Sequence, residues 1–286
     1  MRLGITAALT DLDLPPATLA GMVEELGFDS MWVPEHTHLP VREDAPPALV
    51  EGVRLDDYKR CLDPVVALAT AAAVTTRIGL GTGILLVAQH DPIVLAKELA
   101  TLDHLSGGRV NLGVGFGWNR AEAADHGVDF SRRHDMVREH VRAMEAIWSN
   151  EQAEYHGEFV KLEPTWSWPK PVQQPRVRTL VGGGATDAVF ASVAEWADGW
   201  IPIGGRGLGE ALPRLRARVE AAGRDPHEVT VVPFGTIADE GKLEHYAGLG
   251  VDEVVLRIRA GAAPEVRAQL EALAPLVPFA ATLEQP

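Results

Sequence analysis

Short apolar runs alternate with longer amphipathic stretches from one end of the chain to the other. Leu3–Leu9, Ser30–Pro34, Ile78–Leu86, Val110–Phe116, Arg178–Gly182, Gly199–Ile203, Val229–Ile237 and Val254–Ile258 have the length and composition of strands. Between them, apolar positions recur at helical spacing: Leu19, Met22, Val23 and Leu26 on one face, Val137, Val141, Met144 and Trp148 on another, Val189, Val193 and Trp196 on a third. Strand and helix repeated eight times in 286 residues predict an α/β chain folded as a (β/α)8 TIM barrel, a single domain over residues 1–286. In that fold the chemistry gathers at the carboxyl ends of the strands. Two connections read as insertions. Thr37–Leu62, after strand 2, is rich in proline and charge and is long enough to be a lid on the active face; Asn150–Arg176, between helix 4 and strand 5, contains a hairpin-like Tyr155–Phe159 and the run Trp166-Ser167-Trp168-Pro169-Lys170-Pro171.

Charge narrows the partners. A formal net charge of −14 offers no basic stripe for a phosphate backbone, and no apolar run approaches a membrane span. Neither nucleic acid nor a membrane is an expected partner; a small-molecule substrate is, and a homodimer is compatible with the composition. Asp11 and Asp13 interrupt the amino terminus before a cleavable apolar region could form, and the lone Cys61 cannot form an intramolecular disulfide, so the expected compartment is the cytoplasm.

The strand ends carry the candidate chemistry. Two glycine-studded strands, Arg77–Leu86 and Arg109–Trp118, flank the amphipathic stretch Asp91–Gly108 as one β-α-β unit. Glycine weakens a strand by about 0.5–1 kcal/mol against alanine, so its repetition predicts close approach of a flat ligand or another backbone. Strand 2 runs into Glu35-His36-Thr37-His38, a possible start of a metal site, yet the later strand ends lack the histidines and carboxylate that such a site needs. A glycosidase reading fails because only Glu35 is suitably placed. Gly113-Val114-Gly115-Phe116-Gly117 lacks the later glycine and the acidic residue of a dinucleotide fingerprint. Gly182-Gly183-Gly184, after a strand and before a helix, is the better phosphate site, because a helix amino terminus attracts anions. No metal is expected.

Several of these motifs, in order, resemble the bacterial luciferase-like flavin and deazaflavin barrel superfamily: Gly27–His38, Gly79-Leu80-Gly81-Thr82-Gly83, Ala96–Arg109, Gly113–Trp118 and Ala197-Asp198-Gly199-Trp200. The Trp-Ser-Trp-Pro-Lys-Pro run and Pro34-Glu35-His36-Thr37-His38 are most similar to the actinobacterial branch that uses the deazaflavin F420. The resemblance implies a non-prolyl cis peptide at Gly83–Ile84, in a bulge ending the third strand, with Ile84 projecting toward the cofactor ring. It implies a catalytic His36 beside the reacting ring, a wall of Gly115, Gly117 and Trp118, a phosphate turn of Gly182, Gly183 and Gly184, and a phosphate-binding Arg133. Glu35 is counted with the cofactor-binding residues, its competing role being to orient a neighbour. His38 reads as structural, Trp118 and Trp200 compete as fillers of the barrel mouth, and Gly79 and Gly81 read as packing features.

The implied function is an F420-dependent oxidoreductase moving a hydride between the deazaflavin and a small organic substrate. Two alternatives stand beside it: a two-component monooxygenase using reduced FMN and oxygen, and a deazaflavin- or flavin-binding protein without turnover.

Overall fold

The computed structural model describes residues 1–41, 55–237 and 239–283. β1 (Arg2–Thr6) leads through α1 (Pro16–Glu25) to β2 (Ser30–Val33), and α2 (Leu55–Tyr58) and α3 (Pro64–Ala72) return the chain to β3 (Gly79–Thr82). α4 (Pro92–Ser106) precedes β4 (Val110–Val114), and α5 (Arg120–Asp125) and α6 (Arg133–Ser149) precede a hairpin of β5 (Ala153–His156) and β6 (Lys161–Thr165). β7 (Arg178–Gly182), α7 (Asp187–Trp196), β8 (Gly199–Ile201), α8 (Leu208–Ala221), β9 (Thr230–Val231), β10 (Phe234–Thr236), α9 (Glu240–Gly248), β11 (Glu253–Arg257), α10 (Ala263–Leu273) and α11 (Leu276–Thr282) complete it.

The main sheet is parallel and runs β10-β11-β1-β2-β3-β4-β7-β8-β9. β1 pairs with β2 on one side and with β11 on the other. β9 pairs with β8 and β10 with β11, and an Ile203–Phe234 bridge joins the two ends. β9 and β10 are therefore two halves of one barrel strand, and the sheet closes as a ring of eight staves. The sequence predicts a single strand over Val229–Ile237. Its break falls at Pro233, which has no amide hydrogen for the ladder.

Local chemistry explains why the elements start and stop where they do. Asp91 caps α4 by accepting from the amides of Ile93 (2.9 Å) and Val94 (3.0 Å), Pro92 occupies its first turn, and Gly107 ends it in the left-handed region at φ 71°. The α6 face expected from spacing is buried throughout, and Trp148 Nε1 donates to the Ala96 carbonyl at 2.9 Å, fixing α6 on α4. Each large side chain so buried contributes about 1.5–3 kcal/mol. The α7 face of Val189, Val193 and Trp196 is buried likewise, against the barrel.

Inside the staves lies a second, smaller core of Trp32, Leu180, Ile201, Val232 and Val255, with Ile84 and Phe234 above it. This core explains most of the strand glycines. A Cβ on Gly81 would overlap the Trp32 indole, and one on Gly83 would overlap the Phe234 ring. Gly81 is thus a packing residue, as expected. For Gly83 the close approach predicted from sequence is made by a protein side chain instead of a flat ligand. Thr10 bridges Cys61, and Leu62 donates to the Leu9 carbonyl, so the far end of the Thr37–Leu62 insertion returns to the barrel mouth. The lid expected there rests on residues 42–54, outside the described residues. The second insertion is a hairpin as read, laid on α6 through Glu139, which accepts from the amides of Glu158 and Phe159. Among the described residues no helix is long and apolar enough to cross a membrane.

Candidate functional site

A cavity of about 1430 Å³ opens at the carboxyl ends of the staves. Its lining includes each residue expected from the sequence to be catalytic or cofactor-binding: Glu35, His36, Gly83, Ile84, Gly115, Gly117, Trp118, Arg133, Gly182, Gly183 and Gly184. At that volume it has room for a cofactor and a small second ligand together.

The floor is built first. β3 ends at Thr82, four residues short of the predicted strand end, and the Gly83–Ile84 peptide that follows is cis, as expected. Two ladder bonds continue past it to the neighbouring strand: the Leu85 amide donates to Gly113 (2.7 Å) and the Gly115 amide to Leu85 (2.9 Å). Ile84 lies between Gly115 and Gly182, occupying the space that a Cβ on either would need. These two glycines therefore make room for the Ile84 side chain. Glu35 holds the bulge from below: one carboxylate oxygen accepts from the Leu86 amide and the other pairs with His90 Nε2 at 2.6 Å. Both oxygens have protein partners, so Glu35, which also lines the cavity, fixes the neighbouring loop. Burial works to lower the His90 imidazole, but the hydrogen bond and charge of Glu35 outweigh it and hold His90 above its ordinary value. His140 donates from Nδ1 to the Val87 carbonyl (3.1 Å), adding a tie to the same loop between the two points that Glu35 holds.

His36 is the second component. Its ring is buried, edge-on to Tyr58 at 4.8 Å and to Trp118 at 5.6 Å between centroids. Nδ1 meets the buried carboxylate of Glu122 at 2.9 Å, which makes Nδ1 the donor and leaves Nε2 for the cavity. Sequence reasoning missed Glu122, on α5 and 86 positions from His36. Three residues after the cap Asn119, it reads as an ordinary helix-start acid. His38 points elsewhere, to Asp125 at 3.1 Å, so the two histidines do not converge. Cys61 sits nearby with its thiol pushed up to about 12 by burial and by the charges of Asp57, Glu122 and Glu35.

The third component is the glycine turn after β7, with the arginines around the mouth. Gly183 has φ 149° and passes its amide to the Ile201 carbonyl, while Trp200 Nε1 donates to the Gly183 carbonyl at 2.9 Å. Trp200, packed edge-on to Phe190 of α7 in the core between sheet and helices, thus braces the turn from the helix side. Thr186 caps α7 by accepting from Val189, so the amides of Asp187 and Ala188 are the helix donors with no intrahelical partner. Space beside Gly184 is open. Arg214 reaches this turn, bonding the Asp187 carboxylate at 2.8 Å. Arg133 opens α6 across the mouth, its guanidinium 3.9 Å from the Phe130 ring and bonded to the Phe130 carbonyl, with Nε buried and unpartnered. Burial and the charge of Arg120 lower it from its usual value, without reaching the range where arginine loses its charge. Its neighbour Arg132 pairs with Glu158 and Asp135 at the surface. His134, stacked on Phe116 at 3.9 Å, is held below its ordinary value by burial and by Arg133.

A closed parallel barrel with a ligand-sized cavity at its strand carboxyl ends defines the (β/α)8-barrel enzymes as a class. Within that class the chain belongs to the luciferase-like monooxygenase family, whose family model matches residues 17–242. An uncharacterized protein of Mycobacterium tuberculosis is 45% identical over 278 residues, 96% of this chain and 98% of that relative. An F420-dependent glucose-6-phosphate dehydrogenase of Kineococcus radiotolerans is 33% identical over 221 residues, 74% of this chain and 60% of that protein. Among solved structures, an F420-dependent secondary alcohol dehydrogenase in complex with an F420-acetone adduct has a TM-score of 0.76 at 16% identity, covering 98% of both chains. The monooxygenase RslO1 from Streptomyces bottropensis has a TM-score of 0.75 at 21% identity, covering 96% of this chain and 98% of that one. The last two likenesses establish the fold.

Proposed function

We propose that the protein is an F420-dependent oxidoreductase that exchanges a hydride between the deazaflavin and a small organic substrate. The observation that carries this reading is His36: buried, held through Nδ1 by Glu122, and offering Nε2 to a cavity whose floor is Ile84. The residues present fit a flat ring with an anionic tail. Ile84 supplies an apolar support, the Gly182–Gly184 turn and the free amides of α7 supply donors, and Arg133 brings a buried Nε without a partner. In a chain of net charge −14, such local donors are what an anion requires. When bound, a deazaflavin supplies two-electron hydride chemistry with little reactivity toward oxygen.

The residues do the rest. His36 Nε2 gives or takes the proton that accompanies the hydride, and Glu122 keeps the ring in the tautomer and orientation that permit it. Tyr58 and Trp118 enclose the imidazole and exclude water from it. The relative from Kineococcus radiotolerans, named for F420 dependence, supports this cofactor.

The test is a side-by-side fluorescence titration with F420 and FMN, followed by turnover assays. Preferential F420 binding with substrate-dependent absorbance change at the deazaflavin band is the expected result. Oxygen consumption with FMN and a flavin reductase would instead assign the monooxygenase chemistry for which the family is named. Tight cofactor binding with no absorbance change for any alcohol, aldehyde or sugar phosphate would make it a carrier.

A further inference from the structure

One side of the cavity is lined by groups that neither the cofactor reading nor the fold employs. Along β11 the residues facing the barrel interior are Glu253, Val255 and Arg257: Glu253 bonds Ser30 and Trp32 inside the staves, and Val255 belongs to the interior core. By strand alternation Arg257 follows them on the same face, at the mouth, opposite Thr6 in register. Arg259, two residues on, lines the same cavity.

Among the described residues, neither guanidinium has a hydrogen bond or an ion pair, in contrast to the half-buried arginines elsewhere in the chain. Arg178 bonds Asn111 (2.6 Å) and Thr230 (2.8 Å), Arg176 bonds Asp198 (2.6 Å), Arg109 bonds the Thr75 and Ile78 carbonyls, and Arg133 bonds that of Phe130. Among the described residues, the carboxylates on this rim, Asp13 and Glu265, make no ion pair with either arginine, and Asp13 is occupied by Thr10. Arg257 is half-buried and Arg259 exposed; a partly desolvated cation without a partner, as at Arg257, is costly to keep in a barrel mouth.

We propose that Arg257 and Arg259 seat an anionic group of the substrate, a carboxylate or a phosphate on the molecule that exchanges the hydride. The inference rests on the oxidoreductase reading above and narrows its substrate class. Stave order separates this seat from the one assigned to the cofactor. β11 neighbours β1, which neighbours β2 with His36 at its end; the glycine turn follows β7, and Arg133 lies beyond β4, the stave opposite β11 in the ring. An anion held at β11 therefore lies on the far side of the mouth from the cofactor's donors and two staves from His36. The planar guanidinium fork suits bidentate binding of carboxylate or phosphate.

The test uses inorganic phosphate as the probe, titrated calorimetrically into the F420-loaded protein, where the cofactor's own anion site is filled, and into the cofactor-free protein. The wild type is expected to bind phosphate in both forms, and the Arg257→Gln/Arg259→Gln variant to lose at least tenfold in phosphate affinity while F420 affinity stays within threefold. Arg257→Lys, which keeps the charge without the fork, is expected to fall between them. Unchanged phosphate affinity in the double variant would overturn the proposal. So would a tenfold loss of F420 affinity in that variant, which would assign the arginines to the cofactor's anionic tail. Should the protein bind no F420 while phosphate binding still depends on Arg257, the oxidoreductase reading falls and the anion seat stands.

Discussion

The two walls of the cavity use the same residue type in opposite ways. Along β3 and β4 the missing Cβ atoms of Gly81, Gly83 and Gly115 are replaced by Trp32, Phe234 and Ile84, and the polar groups alongside have protein partners, Glu35 with Leu86 and His90, His36 with Glu122. At the turn after β7, Gly184 faces open space and two α7 amides lack partners. The first wall is finished by the protein itself; the second leaves open space and donors without a protein partner among the described residues. Glycine in a strand therefore does not identify a ligand surface until what occupies its Cβ position is known.

Substitutions on the finished wall should change rate or stability and leave binding alone, and those on the open wall should do the reverse. The largest effect is expected from His36→Ala: kcat lower by about 10²–10⁴ with cofactor affinity within a few fold, as for a proton-transfer group. Steady-state kinetics with a parallel fluorescence titration separates this from a His36 that merely positions the ring, which would raise the cofactor Kd at unchanged saturated turnover. Gly81→Ala comes next. Trp32 is fully buried and tethered through Nε1 to Ser30 at 2.7 Å, so the overlap has no easy outlet, and a loss of about 1–3 kcal/mol in denaturant unfolding is expected. A Gly81→Ala protein as stable as wild type would show that the interior core is looser than drawn.

On the open wall, Gly183→Val is expected to weaken the cofactor more than tenfold, or about 1.4 kcal/mol, because φ 149° and the Val189 side chain 2.9 Å from a Cβ both oppose a branched residue there. Gly184→Ala, one residue on, should change affinity by less than threefold, since its Cβ would meet nothing. Equal losses in the two would mean that the turn works through flexibility and not through its shape. The smallest effect concerns pH. Because Glu35 holds His90 above its unfolded value, their pairing stabilises fully below about pH 6.5 and is lost as pH rises through the raised value. The Tm difference between wild type and His90→Gln should thus be greatest on the acid side and shrink toward alkaline pH; a difference that grows with pH would refute the pairing.

The barrel was legible because its signals are local. Asp91-Pro92 and Gly107 announce the ends of α4, and Val137, Val141, Met144 and Trp148 announce the buried face of α6. The place of Pro233 in the last-but-one stave was equally available, since a missing amide hydrogen breaks a ladder wherever it falls. The site was legible as a set of strand ends, all of which the fold brings to one cavity. What the sequence concealed was partnership across distance. Nothing near Glu122 indicates that its carboxylate reaches His36, and nothing near Arg257 indicates that its guanidinium is left without a carboxylate, because both facts depend on which elements the closed ring sets side by side.

Ring closure itself has a consequence for how the protein is made. β1 finds β2 early, but its other edge waits for β11, the partner of Arg2 being Glu253. At roughly 5–20 residues per second, the ribosome takes on the order of ten to fifty seconds to supply that strand. Throughout that interval the first strand exposes a row of amide and carbonyl groups able to recruit strands from neighbouring chains. The yield of folded protein is therefore expected to depend on temperature, crowding and chaperone supply during synthesis as well as on the finished barrel's own stability.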